Sequence, residues 1–206
     1  YKIQIQKEII DHVLDGRDTI ALLPTGGGKS ICFQIPALVN EGICLVISPL
    51  IALMKDQVQN LNQRGINAVA IYSGMSYKEI DRTFDNCLYG NVKLLYLSPE
   101  RIQTDMALAR IERMKVNLIA VDEAHCISQW GYDFRPSYLK IAELRNILPD
   151  VPMIAIIATA TPEVVNDIRS KLKLNPDQVH QISFTRSNLP YMVLKVSDKR
   201  NRQKKI

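Results

Sequence analysis

Apolar positions fall into two recurring patterns along almost the whole chain of 206 residues. Ile20 to Leu23, Ile43 to Ser48, Ala68 to Tyr72, Val92 to Leu97, Leu118 to Val121 and Met153 to Ile157 are short and nearly continuously apolar, the pattern of strands buried on both faces. The segments between them carry apolar residues at helical spacing. Ile5, Ile9, Ile10, Val13 and Leu14 form one stripe, which Gly16 ends; Leu50, Leu53, Met54, Val58 and Leu61 form another, ended by Gly65. Ile31 to Leu38, roughly Met106 to Met114, and Tyr138 to Leu148 also read as helices. Ser76-x-x-Glu79 is a capping box opening a helix to about Leu88, and Thr161-Pro162 caps a helix to Leu172. Ile182 to Phe184 and Tyr191 to Val196 read as further strands. Buried strands alternating with helices predict an α/β fold: a mostly parallel sheet with helices on both faces.

Ligands of such sheets bind beyond the carboxyl ends of the strands. Each polar motif here follows a predicted strand: Thr25 to Ser30, Ser48-Pro49, Ser98-Pro99-Glu100-Arg101, Asp122 to His125, and Ala158-Thr159. They are expected along one edge of the sheet.

The most informative stretch is Leu22-Leu23-Pro24-Thr25-Gly26-Gly27-Gly28-Lys29-Ser30. Three glycines leave the backbone free to curl with N–H groups inward, and the following helix points its positive end at the loop. Thr25, Gly26, Gly27 and Gly28 would cradle phosphates, Lys29 would reach the β- and γ-phosphates, and Ser30 would hold Mg²⁺. Asp122-Glu123, after a strand, supplies the second half of such a site. Asp122 is the expected Mg²⁺ ligand with Ser30. Glu123 is the expected base that polarises the attacking water, a role worth ~10²–10⁴ in rate. His125 lies two residues on, within reach of the γ-phosphate or of the Thr159 segment. ATP and Mg²⁺ are the implied ligands.

Beyond His125 runs Ile127-Ser128-Gln129-Trp130-Gly131-Tyr132-Asp133-Phe134-Arg135-Pro136, holding the one Trp of the chain. Gly131 and Pro136 argue against a regular element. Aromatic side chains beside an ATP site suit base stacking, at ~1–3 kcal/mol per base, with Arg135 on a phosphate. Burial of Trp130 and Phe134 under the next helix fits the spacing equally well.

Composition adds less. Lys and Arg exceed Asp and Glu by 26 to 21, a net charge of +5, which permits a nucleic-acid partner without demanding one. Cys32, Cys44, Cys87 and Cys126 lie scattered in apolar segments without metal-ligand spacing, so reduced buried thiols and a cytoplasmic setting are expected. No apolar run approaches the ~20 residues of a membrane span, so no membrane partner is expected. No signal peptide is evident. The chain starts without Met and ends in a basic run (Lys195, Lys199, Arg200, Arg202, Lys204, Lys205), so a fragment of a longer protein is expected.

Pro24 to Ser30, Ser48-Pro-Leu-Ile-Ala-Leu-Met-Lys-Asp-Gln57, Ser98-Pro-Glu-Arg101 and Asp122-Glu-Ala-His-Cys-Ile-Ser-Gln-Trp-Gly-Tyr-Asp-Phe-Arg-Pro136 together resemble the RecQ DNA helicases of superfamily 2. The general P-loop glycine is Leu23 here, a variant seen in helicase-type ATPases. The resemblance runs from about residue 6 to about residue 189. It implies a RecA-like P-loop domain over residues 1–189, with 190–206 a basic linker towards a second RecA-like domain of the same parent. It implies a 3′–5′ DNA helicase of repair and recombination, acting on single-stranded and tailed duplex DNA, in the bacterial cytoplasm or nucleoid or in the nucleus. By position, Gln6 would read adenine. Ser48, Pro49 and Leu50, together with Ser98 to Arg101, would lie along the DNA. Trp130, Phe134 and Arg135 would couple DNA binding to hydrolysis, with Thr159 in the coupling motif.

Three departures from the family pattern stand out. Lys2 and Ile3 stand where an aromatic and a basic residue precede the adenine-reading glutamine, with Tyr1 one place early. Tyr132 stands where many relatives have His, and Ile157 replaces the first hydroxyl of the coupling motif. The chain also holds no arginine finger from a second motor domain, a group worth ~10³–10⁵ in turnover. Weak nucleotide binding, little hydrolysis and no unwinding are therefore expected of these residues alone. Two rival readings are a nucleic-acid-stimulated remodelling ATPase that separates no duplex, and a non-catalytic nucleotide-gated binding module.

Overall fold

The computed structural model describes residues 2–24, 26–175 and 179–181. The elements run α1 (Lys2–Leu14), β1 (Thr19–Leu22), α2 (Ile31–Val39), β2 (Ile43–Ile47), α3 (Ile51–Gln63), β3 (Ala68–Ile71), α4 (Tyr77–Tyr89) and β4 (Leu94–Leu97). They continue through α5 (Pro99–Ile102), α6 (Asp105–Glu112), β5 (Val116–Val121), α7 (Leu144–Ile147), β6 (Met153–Ile157), α8 (Pro162–Lys171) and β7 (Val179–Gln181). Two 3₁₀ segments, Ala124–Ile127 and Pro136–Glu143, lie between β5 and α7.

Among the described residues all seven strands join one sheet in the order β3-β4-β2-β5-β6-β1-β7, and every pairing is parallel. The expected α/β architecture is present. The continuous apolar runs arise because the sheet is covered twice. Alternate residues of each strand enter different cores: Ile43, Leu45 and Ile47 of β2 pack with α4, α6 and α8, whereas Cys44 and Val46 pack with α1, α2 and α3. The capping box at Ser76 forms as expected, with the Glu79 carboxylate accepting from the Ser76 N–H at 2.8 Å.

Sequence and structure differ locally. Ser98 to Arg101, expected as a turn, leads into the one-turn helix α5, because Pro99 suits a first helical position. The helix expected from Tyr138 begins at Pro136 and is 3₁₀ as far as Glu143. β7 was not expected; its three residues are too few to show a period. The strands expected at 182–184 and 191–196, the linker 190–206, Tyr1 and Thr25 lie outside the described residues.

Strand order is what assembles the site. β1 and β5 flank β6, with Leu22 beside Ile157 and Val121 beside Ala155. The loop after β1 and the acidic pair after β5 therefore open onto the same edge, one strand apart.

Candidate active site and nucleic-acid interface

The loop after β1 uses its glycines for conformation and for space. Gly26 and Gly28 have φ of +74° and +72°, in the left-handed region. A Cβ on Gly27 would meet the Pro24 carbonyl oxygen at 2.7 Å, and one on Gly28 would collide with the Gln6 side chain. Gln6 does not stand apart from the loop: its Nε2 donates to the Gly27 carbonyl at 2.7 Å. The adenine-reading candidate thus braces the phosphate cradle.

Lys29 Nζ lies 3.5 Å from Glu123 Oε1, both side chains about four-fifths buried. Glu123 Oε2 lies 3.3 Å from His125 Nδ1, within ion-pair reach though not aligned as a hydrogen bond. His125, then Lys29, hold the Glu123 carboxyl below the usual carboxylate range, against the opposing effect of burial. Glu123 itself has φ 47° and ψ 45°, a left-handed backbone at a residue with a side chain. Such strain is characteristic of functional positions. Here it turns the chain sharply out of β5 so that Asp122, Glu123 and His125 share one small space.

Asp122 is buried, and burial pushes its carboxyl up, with the neighbouring Glu123 charge adding to the effect. Its Oδ1 accepts the Glu123 N–H at 3.0 Å and its Oδ2 accepts from Ser48 Oγ at 3.4 Å. Tyr138, fully buried, donates to the Asp122 carbonyl at 2.9 Å. A buried carboxylate whose charge is opposed by burial and by Glu123 fits a cation ligand. Asp122 and the Ser30 hydroxyl are hard oxygen donors of the kind Mg²⁺ takes, alongside water and phosphate oxygens. Among the described residues no three His, Cys, Asp or Glu side chains cluster to hold a metal by themselves. The donor set therefore suits an ion shared with a phosphate substrate.

The aromatic run continues from this corner. Trp130 and Tyr132 are 76% and 78% exposed, so for Trp130 the alternative of burial under the next helix is ruled out. Phe134 is half-buried. The ring of Tyr132 stacks on His125, centroids 4.3 Å apart. Arg135 forks onto Asp133 Oδ2 at 3.1 and 2.9 Å and donates to the Pro49 carbonyl at 3.3 Å, which ties the loop to the turn after β2. A Cβ on Gly131 would strike the His125 carbonyl oxygen at 2.6 Å, so the loop folds back tightly on the acidic segment.

The other DNA-side candidates separate into two groups. Leu50 is 47% exposed and Arg101 half-buried at the open edge. Ser48 and Ser98 are buried, so their hydroxyls face inward; Ser48 supports Asp122 and does not face a strand on the surface. Thr159 is exposed at the same edge. Ile157, by contrast, is a fully buried member of the core.

These residues carry a nucleotide edge and an aromatic face side by side, the arrangement of a P-loop motor domain. A family model for the DEAD/DEAH box helicases matches residues 3–168, and the chain belongs to that family. Within it the sequence is similar to RecQ helicases. It is 48% identical over 196 residues to the ATP-dependent DNA helicase RecQ of Bacillus subtilis, covering 94% of this chain and 33% of that protein. It is 44% identical over 189 residues to the RecQ of Pasteurella multocida, covering 92% of this chain and 30% of that protein. The chain spans about a third of the length of these curated relatives. The fold also matches solved helicase structures. The helicase MrfA bound to DNA gives a TM-score of 0.70 at 16% identity, over 86% of this chain and 25% of that one. The Hef helicase domain of Pyrococcus furiosus gives 0.66 at 20% identity, over 86% and 37%.

Proposed function

We propose that this chain is the first RecA-like motor domain, residues 1–189, of an ATP-dependent 3′–5′ DNA helicase of repair and recombination. Residues 190–206 would lead to a second RecA-like domain of the same parent. The substrates would be ATP and single-stranded or tailed duplex DNA, and the setting the cytoplasm, nucleoid or nucleus. The observation that carries the reading is the Lys29–Glu123–His125 cluster with the exposed aromatic loop growing directly out of it. The RecQ relatives are named ATP-dependent DNA helicases, which supports the same activity here.

In the mechanism we propose, Lys29 and Glu123 hold each other until a nucleotide enters. Lys29 then moves to the phosphates, and the Glu123 carboxyl loses a neighbouring positive charge. That loss raises its proton affinity, which is what a general base needs. His125 keeps one Glu123 oxygen in place while the other faces the attacking water. Mg²⁺ at Ser30 and Asp122 would neutralise charge on the transferring phosphoryl group. Trp130 and Phe134 would stack on bases, with Arg135 near a phosphate.

The test is strand separation by the full-length parent, on duplexes with a 3′ or a 5′ single-stranded tail, with a Lys29→Ala control. Separation of the 3′-tailed duplex alone, lost in the control, is the expected result. DNA-stimulated hydrolysis without separation would replace this reading with the remodelling one.

A further inference from the structure

The aromatic loop is fastened from behind as well as in front. Ser128 is fully buried, and its hydroxyl donates to Asp167 Oδ2 at 2.7 Å. The same hydroxyl oxygen accepts the Trp130 backbone N–H at 3.2 Å. Lys171, one helical turn beyond Asp167, donates to Asp167 Oδ2 at 2.9 Å and to the Ile127 carbonyl at 3.3 Å. Ile127 and Ser128 therefore hang on α8 by polar bonds, and the Trp130 backbone is tied to Ser128 within the loop. Lys171 and Ser128 hold the Asp167 carboxyl below its usual range, so it stays charged and charge-assists both bonds.

The other end of α8 is at the nucleotide edge. The helix opens after Ala158-Thr159, and the Thr161 hydroxyl caps it by accepting from the Val164 N–H. α8 is thus one rigid lever with the coupling turn at its start and the aromatic loop tied to its last turns. The aliphatic Ile157 is buried in the core and offers no hydroxyl for a polar link at the first position of that turn. A mechanical connection has to pass elsewhere.

We infer that Ser128, Asp167 and Lys171 form a strut through which the aromatic loop and the turn between β6 and α8 move together. Occupation of the loop by single-stranded DNA is thereby felt at the nucleotide edge. The three are positioning residues: they touch neither nucleotide nor DNA and act through Trp130 and Thr159. A bonded strut transmits a displacement, whereas a loop held only at its ends absorbs it. The inference rests on the motor reading above.

The experiment uses the full-length parent, with three measurements on each protein: hydrolysis without DNA, hydrolysis with saturating single-stranded DNA, and DNA affinity by fluorescence anisotropy. In Asp167→Ala the factor of stimulation by DNA should fall about tenfold, the effect of one charge-assisted hydrogen bond. Hydrolysis without DNA and DNA affinity should stay at the wild-type level. Asp167→Asn keeps an acceptor for Ser128 and should retain most of the stimulation. A proportional fall in both hydrolysis rates, with the stimulation factor unchanged, would mark Asp167 as merely structural and overturn the strut. So would wild-type stimulation in Asp167→Ala. A wild-type parent without DNA stimulation would overturn the motor reading itself, an outcome separable from failure of the strut alone.

Discussion

The ring of Tyr132 lies nearly flat on that of His125, with centroids 4.3 Å apart and planes 25° apart. One residue belongs to the exposed loop and the other to the nucleotide corner. The stack is a contact between the two surfaces separate from the Ser128–Asp167 bond. Because Tyr132 is 78% exposed, its ring is held mainly by this contact.

Tyr132→Ala should therefore weaken communication without unfolding anything. Such aromatic pairs contribute ~0.5–1.5 kcal/mol, so DNA-stimulated hydrolysis by the parent should change between about two- and tenfold. Hydrolysis without DNA should stay near wild type. Steady-state ATPase assays with and without single-stranded DNA check this. An unchanged stimulation factor would mean that the stack is incidental.

Glu123→Gln removes the base while keeping the shape of the side chain. Hydrolysis should fall by about 10²–10⁴, and nucleotide binding should persist because the glycine cradle and Lys29 are untouched. Equilibrium binding of a fluorescent nucleotide, measured beside turnover, separates the two. Turnover at the wild-type rate would favour the nucleotide-gated binding module.

Asp122 gives a pH-dependent stability with a definite sign. Its folded-state carboxyl is raised, first by burial and then by Glu123, so the folded protein binds that proton more tightly than the unfolded chain does. The charged form therefore opposes folding at neutral pH, and the opposition lifts as pH falls towards the ordinary carboxylate range. Asp122→Asn should raise the thermal midpoint at pH 7 in the absence of nucleotide and metal. The gap from wild type should close on acidification. A lower midpoint at pH 7 would show that Lys29, Ser48 and the Glu123 N–H already balance the charge.

Ile157→Thr would place a hydroxyl in a fully buried position beside Leu22. A buried hydroxyl without a partner costs ~1–3 kcal/mol, so urea unfolding should show a loss of that order. An unchanged midpoint would mean that the hydroxyl finds an acceptor at the end of β6.

Much of this molecule is legible in its sequence, because the signals are local. Continuous apolar runs mark strands covered on both faces, as the two cores bear out. The glycine loop, the acidic pair and the capping box at Ser76 are short-range patterns whose geometry follows from backbone chemistry alone. The coincidence of polar motifs with strand ends is enough to gather them on one edge.

Strand order and side-chain direction are decided only in three dimensions. Nothing in the run from Ala68 to Leu97 says that β3 and β4 form the far side of the sheet. Ser48 and Ser98 are expected along the DNA, and only packing turns them inward. The Lys29–Glu123 pair spans 94 residues and the Ser128–Asp167 bond spans 39, distances over which no periodicity operates. Local spacing sets which face of an element is apolar. Which neighbour that face meets is set by the parallel sheet, and with it the partners of His125, Asp122 and Asp167.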